Sequence, residues 1–316
     1  MVNENISSTT SDVPGTKFDI PISKSELHAF MKRSDKSGFL VIFYAWLSIT
    51  AIFALAASFP VWPVFIVTIF LLAGRQQALA AIMHETGHNT LFATKRYNEF
   101  VATWLSSPFL LMDGKTYSKN HLEHHRTAGT DKDPDLPNYK NYPVTKASLI
   151  RKFARDFLGL TGLKANLYFI LSGNDLLTKE KRAPGQLARG ILVNAGLFSV
   201  LWVLGYGQLF LLWIIAYLTV YMAIIRMRQI AEHAGVINLY NLEPKYNTRS
   251  VPRGILGLLF ISPTAGLSYH CEHHASLAIP TYHLKALHEL IKSRGYYDDI
   301  DLTSGYFGVF KQVIKA

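Results

Sequence analysis

The sequence predicts an all-α membrane protein, with four transmembrane helices in two hairpins beneath a cytoplasmic helical cap. Three observations carry that fold class. Of the 316 residues, 49% are apolar and only 17% are charged. The apolar residues are bunched in long uncharged runs, two of them enough to span about 30 Å of hydrocarbon as helices. The Lys and Arg residues behind the formal charge of +10 avoid those runs and crowd the segments between them. That is how a membrane protein displays its cytoplasmic side, and it sets aside nucleic acid as the reason for the charge.

In order along the chain, residues 1–36 are polar, rich in Ser and Thr, and lack the pattern of a signal peptide. They read as a flexible tail with a short interfacial helix around Lys24 to Lys32. The first span runs from Phe39 to Phe59 and is broken by Pro60-Val61-Trp62-Pro63. The second runs from Val64 to Met83, so the first pair forms one hairpin. Gly190 to Leu204 and Leu209 to Ile225 form the other, turned at Gly205-Tyr206-Gly207-Gln208. Neither turn contains Lys or Arg, which places both termini on the cytoplasmic side. Two apolar pieces are too short to cross. Phe100 to Met112, which contains Ser106-Ser107-Pro108, is expected to be interfacial or re-entrant, and Leu158 to Leu171 to lie along the membrane surface. Residues 37–295 form the main domain, and 296–316 a C-terminal tail. The single Cys271 excludes an internal disulfide and reads as a packing residue.

Nine of the twelve histidines fall in four places. They are His84 and His88; His121, His124 and His125; His233; and His270, His273 and His274. On a helix, positions i, i+3 and i+4 share one face, so each cluster presents two or three imidazoles from one stripe. The pattern HxEHH occurs twice, about 150 residues apart. One metal needs about four protein ligands, so the set is enough for two. Glu85, Glu123, Glu232 and Glu272 sit inside or beside the clusters, where a carboxylate can hold the free N–H of a ligand histidine. A solvated or ion-paired side chain is an equally good reading of each.

These motifs, spaced around two apolar hairpins from Phe39 to His288, resemble the three histidine boxes of the membrane fatty acid desaturase family. The resemblance implies a non-haem diiron site held by the nine histidines, with His233 as the ligand after the fourth span. It also suggests Gln229, one turn earlier, as a polar group that holds a metal-bound water. It implies O2-dependent oxidation of an unactivated CH2 unit on a lipid chain entering from the bilayer. Two electrons would come from a separate ferredoxin or cytochrome-type donor and its reductase, since the chain has no glycine-rich dinucleotide fingerprint and no attached haem domain. A bacterial inner membrane is the expected location. Gly129 to Asp135, after the second box, and Tyr246 to Val251 resemble stretches in bacterial desaturase-like proteins, carotenoid ketolases among them for the first. Hydroxylation or ketolation of a lipid or carotenoid-type substrate is therefore the alternative outcome at the same metals.

Other readings remain beside these. His84-Glu85-Thr86-Gly87-His88 matches HExxH, the signature of a zinc hydrolase, but a protease would leave seven histidines without a role. A metal transporter would want ionisable groups along the spans, and no His, Asp or Glu lies at mid-depth there. Asp131, Asp133 and Asp135 read as turn and capping residues, Arg75 as a snorkelling cation. His28, His283 and His288 read as surface histidines.

Overall fold

The computed structural model describes residues 10–173, 181, 185–251, 254–255, 257–261, 268–302 and 305–315. Among these residues no strand occurs, only two isolated bridges. Four helices are long and apolar enough to cross a membrane: Asp35–Ser58, Trp62–Gly87, Gln186–Val203 and Gly207–His233. Each overlaps an expected span. Helix α1 (Lys24–Phe30) precedes the first of them, α2 (Asp35–Ser58), and α3 (Trp62–Gly87) is the second.

α2 starts at Ser34, whose hydroxyl accepts from the Ser37 amide (3.1 Å). Phe59, Pro60 and Val61 separate it from α3, which opens with Pro63 in its first turn, where a missing N–H costs nothing. The two helices pack along one another through Ile42, Ala45, Ile49, Phe53, Ala56 and Leu72. Their outer faces expose Phe43, Leu47, Phe59, Ile66 and Phe70. A contiguous apolar face of that kind needs a bilayer to cover it.

The third span, α9 (Gln186–Val203), turns at Gly205 into the fourth. That span breaks at Thr219 (φ −115°, ψ −88°) into α10 (Phe210–Leu218) and α11 (Val220–His233). The break redirects α11, and α11 ends on His233.

The segment expected to be interfacial or re-entrant does enter the helical bundle. α4 (Lys95–Val101) continues as one wide turn, Ala102–Ser106, then one tight turn, Ser107–Leu110, with Leu111 in the left-handed region (φ 52°). Irregular backbone survives at membrane depth only where other groups satisfy it. Here Trp46 donates to Leu105 O (3.3 Å), Tyr217 to Leu110 O (2.7 Å) and Gln186 to Leu111 O (2.8 Å).

The remaining helices are α5 (Gly114–Thr127), α6 (Leu136–Tyr139), α7 (Lys146–Phe157), α8 (Leu160–Ser172), α12 (Pro244–Asn247), α13 (His270–Ala275), α14 (Thr281–Ser293) and α15 (Gly305–Val313). α8 exposes Leu160, Leu163, Leu167 and Ile170 in one apolar row. A further wide turn, Gly257–Ile261, reaches α3 at Gly74, where a side chain would collide with the Leu259 carbonyl. Arg75 donates to that same carbonyl (2.8 Å), so its guanidinium does not simply snorkel to the interface.

Two expectations for the chain ends are corrected. Residues 1–9 lie outside the described residues, but from Thr10 the N-terminal segment is packed, not loose. Val13, Ile20, Ile22 and Leu27 are buried against Tyr269, Cys271, Leu284 and Ile291. α1 has a complete capping box, Ser23 with Glu26. The Lys17 amide donates to Ala275 O (2.9 Å), tying this strap to the end of α13. At the other end, Tyr296 and Tyr297 join the same core, and Val309 and Val313 of α15 bury beside Leu136, Tyr139 and Ile230. Charge-based reading missed both because the apolar residues concerned are few and widely spaced.

Candidate metal centre

Four helices bring the nine histidines together at the end of the bundle. α3 supplies His84 in its last turn and His88 just past its end, and Ser118 of α5 donates to Gly87 O (3.0 Å), which seats α5 beside it. α5 is started by Asp113, which accepts from the Lys115 amide (3.0 Å) and Thr116 hydroxyl (3.1 Å), and carries the second cluster. α11 supplies His233 and α13 the third cluster.

The ring nitrogens sort into two groups, within each of which they all lie within 4.8 Å of one another. One group is His84, His88, His121, His125 and His273; the other is His124, His233, His270 and His274. The sorting follows from helix geometry. On α5 the i, i+4 pair His121 and His125 enters the first group, and His124 turns to the second. On α13 the i, i+4 pair His270 and His274 enters the second, and His273 turns to the first. The second and third boxes therefore each serve both groups, as the helical period arranges, while His84 and His88 serve the first alone.

Eight of the nine are buried, and His88 is half-buried. Burial holds the His88 imidazole down to about 4. Burial and neighbouring imidazoles push His121, His125, His270 and His274 well below the usual histidine range. His273 is lowered likewise, by burial and then by His88 and Arg228. These rings are neutral, which is the form that binds metal. His124 differs. Burial disfavours its proton too, but the bond to Asp133 and the nearby Asp135 outweigh that and raise it.

Several buried ring nitrogens have no hydrogen-bond partner: His84 Nε2, His88 Nε2, His125 Nδ1, His270 Nδ1, and both nitrogens of His273. Others face each other, such as His233 Nε2 and His270 Nε2 at 2.9 Å. Orphaned buried nitrogens are costly. A cation between them removes the cost, so the residues present fit metal ions.

Of the carboxylates singled out from sequence, Glu85 accepts from His84 Nδ1 (3.0 Å), Thr90 (3.1 Å) and the Thr281 amide (3.1 Å). A glutamate so engaged is not free to serve as the base of a zinc hydrolase. Glu232 pairs with Arg228 (2.6 Å) and lies 3.7 Å from His270 Nδ1. Glu272 is fully buried and accepts from His288 Nδ1 (2.6 Å), Ser250 and Tyr297. Glu123 is the exception: it is half-exposed and paired with Arg126 (2.5 Å), on the side of α5 away from the rings. Gln229 lines the cavity beside the centre, one turn before His233.

Three groups that sequence reasoning passed over belong here. Asp133, read as a turn residue, accepts from His124 Nδ1 (2.8 Å) and from Tyr139. His288, read as surface, is buried against Glu272. Its position was visible in the pattern, since it shares the apolar stripe of Leu284, Leu287 and Ile291. The third is the segment Tyr246 to Val251. Asn247 O lies 3.3 Å from His233 Nδ1, and Ser250 holds Glu272. Between them, buried Arg249 donates to Ala231 O (3.0 Å), Ala234 O (3.0 Å) and Gly235 O (2.9 Å). It caps the end of α11 just where His233 leaves it. His28 is exposed and His283 partly so, as expected.

A cavity of about 220 Å³ adjoins the centre. His121 of the first group and His124, His233 and His270 of the second form one wall; Ala80, Met83, Tyr221 and Ile225 of the spanning helices form another.

Comparison with known proteins agrees with this arrangement. Residues 60–304 match the family model described as fatty acid desaturase. A protein named dihydrorhizobitoxine desaturase, from Bradyrhizobium elkanii, is 24% identical over 250 residues, 74% of this chain and 68% of its own. Two proteins named sphingolipid delta(4)-desaturase DES1-like match shorter stretches. The one from Oryza sativa subsp. japonica is 35% identical over 68 residues, 21% of each chain. The one from Arabidopsis thaliana is 40% identical over 58 residues, 18% of each. The aligned stretches thus span about a fifth of the plant proteins. With four apolar helices, clustered histidines and a family match over most of its length, the chain belongs to the fatty acid desaturase family, a group of desaturase-type membrane oxidoreductases.

Proposed function

We propose that this chain introduces a double bond into a lipid acyl chain at a centre of two non-haem irons. The observation that carries the reading is the division of nine clustered imidazoles, eight of them buried, into groups of five and four. An all-nitrogen donor set of that size suits two iron ions better than the oxygen-seeking hard cations. When bound, the irons would supply the O2 chemistry that removes two hydrogens from a CH2–CH2 unit. O2, two electrons, two protons and those two hydrogens would leave as two waters, and the chain would gain one C=C bond.

The protein's own contribution is placement. Glu85, Asp133 and the Asn247 carbonyl hold the Nδ1 protons of His84, His124 and His233, leaving each Nε2 lone pair for metal. Ala80, Met83 and Ile225 give an apolar wall along the spanning helices, through which a lipid chain can reach the histidines. With Lys and Arg gathered on the histidine side, that side is cytoplasmic, where a separate ferredoxin or cytochrome-type donor can deliver electrons.

The test is expression in a host that lacks the product, with lipids analysed by mass spectrometry. New unsaturated lipids with wild type, and none with His124→Ala or His273→Ala at equal membrane levels, are expected. Retained product in both variants would contradict the site. Hydroxylated or keto lipids in place of alkenes would move the reading to the alternative outcome at the same metals.

A further inference from the structure

A second concavity lies away from the histidines, on the outside of the bundle. α7 places Arg151 and Arg155 one turn apart on one face, and Leu158 follows at its end. With Ser148, Lys152 and Ala154 they line an open groove of about 440 Å³. The groove carries three cations and no carboxylate, and its walls are mainly carbon, including the stems of those long side chains. Asp156, next in the chain, is engaged elsewhere: it is fully buried and accepts from Arg226 Nη2 (3.0 Å) and Thr161 (2.5 Å). Among the described residues no carboxylate pairs with Arg151 or Arg155. Two like charges four residues apart on a helix repel, so an anion between them would stabilise α7. Lys152 feels the same field. Burial first, then Arg226 and Arg155, hold its ammonium below the usual lysine range, and it donates to the Tyr142 hydroxyl (3.2 Å).

The surroundings of the groove are apolar and exposed: Ile150, Phe157 and Leu158 on the α7 side, Leu160 and Leu163 on α8. The Phe157 ring lies 6.4 Å from that of Phe70, on the outer face of α3. Gly162 of α8 sits so close to α10 that a side chain there would collide with Leu218 O. The α7–α8 pair is thus fixed against the spanning helices, with its basic groove beside the faces that a bilayer covers.

We propose that this groove binds an anionic membrane lipid, Arg151 and Arg155 holding its phosphate while Ile150, Leu158 and Leu160 lie along its acyl chains. A guanidinium pair suits phosphate oxygens, and basic residues beside apolar surface are how a protein recognises anionic leaflets. The carbon walls decide between sources of the anion. An acyl chain covers them, whereas a free phosphate ion leaves them in water. The site requires neither metal nor turnover.

The experiment uses the full chain purified in a neutral detergent. It is titrated in turn with phosphatidylglycerol, with phosphatidylcholine of the same acyl chains, and with inorganic phosphate. Affinity is read from the rise in melting temperature, and retained lipid by native mass spectrometry. Phosphatidylglycerol is expected to raise the melting temperature and stay bound, about tenfold tighter than phosphatidylcholine, and phosphate to do neither. Arg151→Gln combined with Arg155→Gln should weaken phosphatidylglycerol binding about tenfold or more, with the melting temperature in phosphatidylcholine unchanged. Arg151→Lys combined with Arg155→Lys should keep most of it. Equal affinity for the two lipids, or wild-type phosphatidylglycerol binding in the Gln double variant, would overturn the proposal. A shift with inorganic phosphate equal to that with phosphatidylglycerol would overturn it too, by assigning the groove to a soluble anion. None of these outcomes bears on desaturation, which the lipid products test separately.

Discussion

The rings of His125 and His274 lie 4.0 Å apart, centroid to centroid, yet their nitrogens belong to different groups. The two groups therefore share a wall of imidazoles and form one continuous centre. Disturbing one group should disturb the other. His274→Ala is expected to lower total iron by more than one ion per chain, as measured by mass spectrometry, whereas loss of one ion alone would mean that the groups bind independently.

Asp133 fixes the ring of His124 from nine residues away. Replacing a group that orients a ligand histidine commonly costs 10–100-fold in metal affinity. Asp133→Asn should weaken iron retention by about that factor in competition with a chelator, with little change in membrane insertion. Wild-type retention would assign Asp133 to the turn alone.

Arg249 ties the end of α11 to the segment that also holds Glu272. Burial lowers its guanidinium to about 10, still charged at neutral pH. Arg249→Leu leaves several buried carbonyls without a donor, at about 1–3 kcal/mol each. Thermal unfolding in detergent should shift down by several degrees, and iron bound through His233 should be lost first. An unshifted transition would contradict the brace.

Acid should destabilise the metal-free protein. In the folded chain His88 is held down to about 4, and His121, His125, His270, His273 and His274 are also depressed. In the unfolded chain each titrates near 6.5. Between those limits the unfolded state binds more protons, so stability falls as pH drops below about 6.5 and continues to fall toward 4. A melting temperature that does not change between pH 7.5 and 5 would show that these rings are not held neutral.

How much of this could be seen in the sequence depends on the kind of pattern involved. The spans were legible because a bilayer demands long uncharged runs, and the nine histidines because i, i+3 and i+4 repeats mark a helix face. Asp133 was not legible: a turn acid and one that orients a histidine have the same local sequence, and only the fold brings His124 to it. Glu123 failed the other way, since its box predicts proximity to histidines but the helical angle turns it outward to Arg126. The packed N-terminal strap was hidden because Val13, Ile20, Ile22 and Leu27 have no short period. Leu27→Ala should cost about 2–5 kcal/mol, read by thermal unfolding; a neutral effect would return that segment to a loose tail.

The most direct measurement is the metal content of the purified full-length protein, with iron and zinc counted per chain by inductively coupled plasma mass spectrometry after iron loading. Two irons per chain in wild type, falling in His124→Ala and His273→Ala, are the predicted result. One zinc and no iron, unchanged by either substitution, would contradict the account.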